Sequence, residues 1–132
     1  MSYFFNFINT LKTKCPLHIN RVEWDGTSLY MGGIKWNYNF LGDWVANGEV
    51  MIIGCHDDNI NAFINEQIVE KEIIDVQPSL DLPSYDPIFI LSNNIQLKFF
   101  STSIIEPWTF KFGDGDMFVA SPSDAKWIYK EL

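Results

Sequence analysis

The sequence predicts an α+β domain whose main component is an antiparallel β-sheet of about eight strands, curled into a roll or open barrel. Three observations predict this fold class. Runs of strand-forming residues alternate apolar and polar side chains, short turn signals separate these runs, and helical spacing of apolar residues is confined to brief segments at the start, middle and end. At 132 residues, 47% of them hydrophobic, the chain has the size and composition of a single globular domain, residues 1–132.

The first predicted element is a short helix over residues 2–13. Apolar side chains at positions 4, 5, 8 and 11 share one helical face, and Pro16 cannot continue the helix. Because this segment lacks a basic start and a small-residue cleavage site, we predict no export signal and a cytoplasmic protein. Cys15 and Cys55 are fewer cysteines than a disulfide-dependent secreted domain carries, so we expect two reduced thiols.

Four turn signals between strand-forming runs predict β-hairpins: Asp25-Gly26, Asn47-Gly48, Asn93-Asn94 and Asp114-Gly115. If each turn has two residues, the alternation of side chains fixes the faces. The predicted inner residues are Val22, Trp24, Leu29 and Met31 in the first hairpin, Ile88, Ile90, Leu97 and Phe99 in the third, and Trp108, Phe110, Phe112, Met117 and Val119 in the fourth. The outer faces then include Phe89, Leu91 and Phe118, and the second turn joins residues 43–46 to residues 49–53.

Apolar residues at helical spacing predict a central helix over residues 59–67, with Asp57 and Asp58 as candidates for its N-cap. The sequence pattern then predicts a strand over residues 69–76 and a proline-containing loop over residues 77–87. At the end of the chain, Ser121-Pro122-Ser123-Asp124 has the composition of a helix start. We therefore expect a short C-terminal helix whose apolar residues are Ala125, Ile128 and Leu132.

The charge balance argues against one class of partner. Seventeen acidic and nine basic residues give a net charge of −8, and Arg21 is the only arginine. A general phosphate-binding surface needs clustered Lys and Arg, so we expect no direct binding of nucleic acid. No stretch approaches the ~20 apolar residues of a membrane-spanning helix, so we expect no membrane partner.

The segment Cys55-His56-Asp57-Asp58 places a thiol, an imidazole and two carboxylates next to one another. A thiol beside an imidazole is the basis of cysteine nucleophilic catalysis, so a cysteine hydrolase at Cys55 and His56 is one hypothesis. Consecutive strand residues point to opposite faces, and we expect Cys55 and His56 to diverge. The alternative is a buried Cys55 at a strand end followed by a helix cap, and we predict no catalytic residue.

Metal binding can be assessed by counting ligands. His18, His56, Cys15 and Cys55 would form a zinc site only if the fold united all four, and neither Cys-His pair has the spacing of a zinc module. Residues 113–116 resemble part of a calcium loop, but the remaining acidic ligands do not follow. We therefore expect a hairpin turn at residues 113–116, and neither a metal nor another cofactor.

Two features of the sequence are compatible with binding. Trp36 and Trp44 are two four-residue steps apart, with Tyr38 between them, which indicates either a core stripe or an aromatic patch able to anchor a partner or stack a ligand. The acidic surplus, including Asp57 and Asp58, is either a solvated surface or a face that steers the protein onto a basic partner.

A recognisable order of motifs runs mainly from residue 60 to residue 112. Its parts are a tryptophan-rich opening (Trp36, Trp44), a short helix, a strand at 68–76, Asp86-Pro-Ile-Phe-Ile-Leu-Ser-Asn, Leu97-Lys-Phe-Phe and Glu106-Pro-Trp-Thr-Phe. In this order the chain resembles small uncharacterised bacterial domains, some of them encoded beside polymorphic toxins as immunity proteins. The resemblance implies a cytoplasmic protein that acts by binding another protein, and it implies no catalytic residues.

Together these observations predict a non-enzymatic acidic protein that sequesters a basic protein partner, such as a toxin or nuclease. The predicted interface residues are Trp36, Tyr38, Trp44, Asp57 and Asp58. The first alternative is a small-ligand-binding β-barrel that uses the same aromatic residues as a pocket, and the second is the cysteine hydrolase. An enclosed apolar cavity would favour the ligand binder, and a convex acidic face would favour the inhibitor.

Overall fold

The computed structural model describes residues 3–79, 86–101, 107–121 and 126–131, which form two helices and eleven strands. The helices are α1 (Tyr3–Lys14) and α2 (Ile60–Gln67), and the strands are β1 (Leu17–His18), β2 (Arg21–Trp24), β3 (Ser28–Gly33), β4 (Trp36–Asn47), β5 (Ile52–Gly54), β6 (Glu72–Pro78), β7 (Pro87–Leu91), β8 (Gln96–Ser101), β9 (Trp108–Phe112), β10 (Asp116–Ser121) and β11 (Lys126–Glu131). Every pairing among these strands is antiparallel, and the sheet is curled into an open barrel, so the predicted α+β fold class is confirmed. Neither described helix is long and apolar enough to cross a membrane.

Strand β4 belongs to both halves of the sheet. Its first half pairs with β3 and β9, and its second half pairs with β5 and β8. The main strand order is β1-β6-β7-β8-β4-β9-β10-β11, and β2 joins through β3. The change of partners falls at Gly42, whose φ of +142° is unfavourable for a side chain, and an added Cβ would lie 2.8 Å from the carbonyl oxygen of Phe100.

A layer of aromatic side chains fills the inner face of the curled sheet. The fully buried ring of Tyr38 packs against Phe89 and Phe99 from one half of the sheet and Phe110 from the other, at centroid distances of 4.9, 5.1 and 5.8 Å. Helix α1 covers part of this layer, because its Phe7 ring packs 5.5 Å from that of Phe110. The core therefore lies between α1 and the concave side of the sheet.

Helix α1 matches the predicted segment, with one correction to its buried face. The prediction places Phe5 inside, but Phe5 is 38% exposed and Phe7 is fully buried instead. At 3.6 residues per turn, position 7 lies closer than position 5 to the line through the other inward positions. The buried residues of α1 are Phe4, Phe7, Ile8 and Leu11.

Two ion pairs join the last turn of α1 to separate parts of the sheet. Lys12 contacts Asp75 of β6 at 2.8 Å, and Lys14 contacts Asp114 in the β9–β10 turn at 2.9 Å. Exposed pairs of this kind contribute little stability individually, so they mainly orient a helix that its buried face already holds.

The third and fourth hairpins have three-residue loops, whereas two-residue turns are predicted. The last loop residue is in the left-handed region, with a φ of 69° at Asn94 and 98° at Gly115. Each donates its backbone N–H to the carbonyl that opens the turn, that of Leu91 or Phe112. A turn closed by a left-handed residue is the common three-residue hairpin loop. The extra residue moves the side chains of one strand to the opposite face.

The predicted inner faces are therefore wrong for one strand of each of these hairpins. In the third hairpin the buried residues are Phe89, Leu91, Leu97 and Phe99, while Ile88 and Ile90 are only half-buried. In the fourth the core residues are Trp108, Phe110, Phe112, Phe118 and Ala120, while Met117 is half-buried and Val119 is buried outside the main core cluster.

The first hairpin keeps its predicted faces although its turn is displaced. Asp25 donates its backbone N–H to the carbonyl of Ser28, so the turn is centred on Gly26-Thr27 and not on Asp25-Gly26. Val22 consequently pairs with Met31. The shift in register is two residues, and an even shift preserves the faces.

The second hairpin closes later than its Asn-Gly signal predicts. Asn47 pairs with Ile52, and Gly48 donates to the carbonyl of Met51 at 2.7 Å. The tip of this hairpin is apolar, because Val50 is 95% exposed and Ile52 is 74% exposed.

Strand β6 begins three residues after the start of the predicted segment 69–76 and includes the first residues of the predicted loop. A bulge lies between Ile73 and Asp75, so Ile73 faces the core while Ile74 is exposed. Residues 80–85 of the predicted loop lie outside the described residues.

The predicted C-terminal helix is wrong. Residues 126–131 form β11, which pairs along its whole length with β10, from Asp116 with Glu131 to Ser121 with Lys126. Backbone pairing along a free sheet edge satisfies more of the chain's donors and acceptors than one short helical turn, and it outweighs the local cap signal. Residues 122–125 and 132, which include most of that cap signal, lie outside the described residues.

Candidate functional site

The aromatic residues predicted to form a partner-binding patch lie in the core. Trp36, Tyr38 and Trp44 are on β4 and expose 5%, 0% and 2% of their surface. Strand positions separated by an even number share one face, so the four-residue spacing is also the spacing of inward strand side chains. The three residues are therefore not available to a partner at the surface.

The rings of Trp36 and Trp44 pack against other aromatic rings of the protein, which disfavours a ligand pocket at these residues. The ring of Trp36 stacks on Phe110 at 5.5 Å, and that of Trp44 meets Trp24 edge-on at 5.8 Å. Ring-to-ring packing of this kind occupies the surfaces that a bound ligand would need.

An open groove of about 500 Å³ lies between the β2–β3 hairpin and α2. Trp24 and Tyr30 line it from the hairpin, and Asn61 and Asn65 line it from the helix. Trp24 is half-buried, and its indole N–H donates to the carbonyl of Cys55 at 2.9 Å, which fixes the ring. The groove therefore offers an oriented aromatic surface beside amide and hydroxyl groups.

Two carboxylates line this groove, those of Glu23 and Asp25. The exposed Asp57 and Asp58 lie just before Asn59, the N-cap of α2, whose first turns line the other side of the groove. Neither Asp57 nor Asp58 forms an ion pair with a residue that the structure describes. Arg21 pairs with Glu23 at 2.6 Å, whereas Asp25, like Asp57 and Asp58, is in none of the ion pairs of the described residues.

Asp25 keeps its charge because its own turn stabilises it. Its carboxylate accepts the backbone N–H of Ser28 at 2.7 Å and that of Thr27 at 2.9 Å, and both hydroxyls also donate to it. These bonds favour the ionised form and hold the pKa of Asp25 well below its ordinary value of 3.8.

Cys55 and His56 converge on Asp43, a residue that the sequence analysis does not single out. Oδ1 of Asp43 lies 2.9 Å from Nε2 of His56 and 3.8 Å from Sγ of Cys55. The three side-chain atoms all lie within 4.8 Å of one another. The prediction that Cys55 and His56 point away from each other is therefore wrong, because Sγ and Nε2 lie within 4.8 Å of each other.

The order of these contacts differs from that of a cysteine–histidine catalytic triad. In such a triad the imidazole lies between the nucleophile and the carboxylate, whereas here Asp43 lies between Cys55 and His56. Burial raises the pKa of Cys55, although the backbone N–H of Trp44, 3.4 Å from Sγ, partly opposes this. The site thus presents a neutral thiol, an imidazole and a carboxylate at one point.

The position of the β4–β5 turn explains why the sequence analysis misses Asp43. Extension of the observed ladder by two residues beyond Val45 and Gly54 places Asp43 opposite His56. A two-residue Asn47-Gly48 turn would have set Asp43 opposite Ile52. The missing signal was therefore the length of the turn and not the identity of the residues.

The contacts of the other candidate metal ligands show the part that these residues play in the fold. Residues 113–116 form a hairpin turn, as predicted, in which Asp114 accepts the backbone N–H of Asp116 at 3.1 Å and pairs with Lys14. His18 lies 2.8 Å from Glu70, while Cys15 and Cys55 are free thiols.

Comparisons with protein-family models, with curated proteins and with solved structures found no match to this chain.

Proposed function

We propose that this protein is a non-enzymatic binding protein that sequesters a basic protein partner, of the class to which toxins and nucleases belong. The observation that carries this proposal is the groove between the β2–β3 hairpin and α2, where a half-buried Trp24, held by its hydrogen bond to Cys55, lies beside the carboxylates of Glu23 and Asp25. An aromatic side chain is a typical anchor of a protein interface, and charged groups near it add specificity and speed association with a partner of opposite charge.

The proposed interface differs from the predicted one in its aromatic residues and in two further carboxylates, those of Glu23 and Asp25. Trp24 and Tyr30 take the place of the buried Trp36, Tyr38 and Trp44, while the exposed Asp57 and Asp58 keep their role.

An inhibitor of the immunity-protein type, acting in the cytoplasm, is the form of this proposal that we favour. The net charge of −8 supports it, because a basic partner that binds nucleic acid presents the complementary charge. Two free thiols are also compatible with a reducing compartment.

The proposal is tested by recovering the partner from the native host and measuring binding kinetics with the purified pair. A buried aromatic anchor contributes about 2 kcal/mol or more at an interface centre, so Trp24→Ala should raise the dissociation rate by roughly 30-fold. Phe5→Ala, which removes a 38%-exposed ring from α1, is the matched control and should leave the rate unchanged.

Removal of charge should lower the association rate constant. Asp57→Asn with Asp58→Asn should slow association, because exposed charges act mainly through steering. Asp114→Asn with Asp116→Asn makes the same change in net charge at the β9–β10 turn and should have a smaller effect. Equal effects of the two double variants, or no effect of Trp24→Ala in the folded protein, would move the interface away from the groove.

A further inference from the structure

Beyond protein binding, Asp43 of β4 and two residues that directly follow β5, Cys55 and His56, form a cluster with the chemistry of a metal site. We propose that Asp43, Cys55 and His56 bind one Zn²⁺ ion, with a fourth position left to solvent. This inference does not depend on the proposed function, because it concerns the isolated protein.

The donor set selects the metal. Thiolate sulfur and imidazole nitrogen favour borderline and soft ions, and a single carboxylate oxygen is a common third ligand of Zn²⁺. Ca²⁺ and Mg²⁺, which prefer oxygen ligands only, are disfavoured by the same set.

The spacing of the three atoms is close to that of a coordination shell. In a tetrahedral site with Zn–N and Zn–O bonds of about 2.0 Å and a Zn–S bond of about 2.3 Å, ligand atoms lie about 3.3 to 3.5 Å apart. In this structure Oδ1 of Asp43 is 2.9 Å from Nε2 of His56 and 3.8 Å from Sγ of Cys55. All three atoms lie within 4.8 Å of one another, and rotation of the exposed Asp43 and His56 side chains would adjust their distances to Sγ of the buried Cys55.

Backbone hydrogen bonds hold Asp43 and Cys55 next to each other. The carbonyl of Trp44 accepts the backbone N–H of Cys55 at 3.0 Å, so the ladder between β4 and β5 continues up to the site. The backbone N–H of Trp44 points at Sγ of Cys55 at 3.4 Å, and such a donor stabilises a metal-bound thiolate.

A metal ion can reach the site from solvent, and the protons that it displaces can leave by the same route. The side chains of Asp43 and His56 are 63% and 62% exposed, whereas Cys55 forms the buried side of the site. When the Zn–S bond forms, the Cys55 thiol releases its proton to solvent. In the metal-free protein Nε2 of His56 donates its N–H to the Asp43 carboxylate. On metal binding that proton is released to solvent from an imidazolium, or is exchanged through solvent onto Nδ1 of a neutral ring, and the Nε2 lone pair then binds the ion in place of the bond to Asp43.

The chain contains matched controls for two of the ligands. Cys15 is the second free cysteine, and His18 forms a similar pair with Glu70 at 2.8 Å but belongs to no metal-ligand cluster among the described residues. Cys15→Ser and His18→Gln should therefore leave metal binding unchanged.

The test is titration of the metal-free protein with ZnCl₂ in competition with a chromophoric chelator, together with titration with CoCl₂ followed by absorption. We expect one Zn²⁺ per chain and a thiolate-to-cobalt charge-transfer band. Cys55→Ser should abolish the band, and Cys55→Ser or His56→Gln should weaken Zn²⁺ binding by at least about 100-fold, since loss of even an outer-shell partner costs about 10- to 100-fold.

Circular dichroism of each variant establishes that it is folded, and Asp43→Asn, which keeps the shape of the side chain, gives an independent check on the third ligand. Zn²⁺ binding that is the same in Cys55→Ser, His56→Gln and wild type overturns the site. Stoichiometric binding of Cu²⁺ with no measurable binding of Zn²⁺ overturns the assignment of the metal. The partner-binding measurements are made with a chelator present, so that the result for one proposal does not depend on the result for the other.

Discussion

At the scale of single residues, Asp25 shows how one side chain fixes local geometry. Its carboxylate accepts bonds from the N–H and hydroxyl groups of Thr27 and Ser28, and these bonds set the turn at Gly26-Thr27. The same bonds create a link between protonation and folding, because they are lost when the carboxylate is neutral.

We predict that Asp25→Ala lowers the free energy of unfolding at pH 7 and that this difference shrinks at low pH. The pKa of Asp25 is lowered in the folded protein, so its contribution is complete above the ordinary value of 3.8 and is lost as the pH falls through the folded pKa. Urea unfolding of both proteins at neutral and acidic pH measures the effect. The exposed Asp58→Ala is the control, and a difference that stays constant down to about pH 2 would contradict the linkage.

A second prediction at this scale concerns the aromatic core. Phe99 and Phe110 are 3% and 0% exposed, so truncation of either to Ala should lower the free energy of unfolding by about 3–5 kcal/mol. Glu23→Ala, on the exposed surface, should change it little. Chemical denaturation of the three variants checks this, and similar midpoints for all of them would show that the strand faces described here are incorrect.

At the scale of elements, loop length decides the register of each hairpin. The third and fourth hairpins both close with a left-handed residue, Asn94 or Gly115, and both have their faces set by that extra residue. The first hairpin is displaced by an even number of residues and keeps its faces.

We predict that Asn94→Gly leaves stability unchanged or slightly higher, whereas Asn94→Val lowers the free energy of unfolding by about 1–2 kcal/mol. The φ of 69° at Asn94 suits Gly and Asn and is unfavourable for a β-branched residue. Thermal unfolding measures both changes. Asn39→Val, an exposed site on β4, is the control, because the same side chain is favoured in a strand. Equal losses at positions 39 and 94 would argue against the left-handed loop.

These elements also show what can be predicted from sequence. The two helices follow from apolar spacing, because that signal is local and spans more than one turn. Asn93-Asn94 and Asp114-Gly115 fit loops of two or three residues equally well, so the register depends on packing that the sequence does not display.

The residues of the candidate site are likewise only partly predictable from the sequence. Asp57 and Asp58 are predicted as candidates for the helix N-cap, but the N-cap of α2 is Asn59, and both aspartates are exposed. A core stripe is one of the two interpretations that the sequence allows for Trp36, Tyr38 and Trp44, and the strand pairing of β4 decides in its favour. Asp43 joins Cys55 and His56 only through the ladder of β4 and β5, which no local motif specifies.

At the scale of the whole molecule, charge is the property most relevant to the proposed binding. The net charge of −8 includes the groove carboxylates. Their electrostatic field extends into solvent over a distance that shortens as the salt concentration rises. Because Arg21 is the only arginine, lysines supply the remaining positive charge.

We predict that association with the basic partner slows steeply as salt rises, while dissociation changes little. Exposed charges are screened beyond about 8–10 Å at physiological ionic strength, which removes steering before contact. Stopped-flow measurements over a range of NaCl concentrations give both rates. The slope should be shallower for the Asp57→Asn, Asp58→Asn double variant, and an association rate indifferent to salt would contradict the electrostatic part of the proposal.

The central position of β4 also has a consequence for the chain during its synthesis. Strand β4 is complete at Asn47, but its neighbours β8 and β9 are complete only at Ser101 and Phe112. At translation rates of about 5–20 residues per second, β4 emerges with one side unpaired for roughly 3 to 13 s. During that interval Tyr38 and the other inward side chains of β4 lack the rings that later cover them. The nascent chain, and not the finished fold, is therefore the state of this protein most open to aggregation.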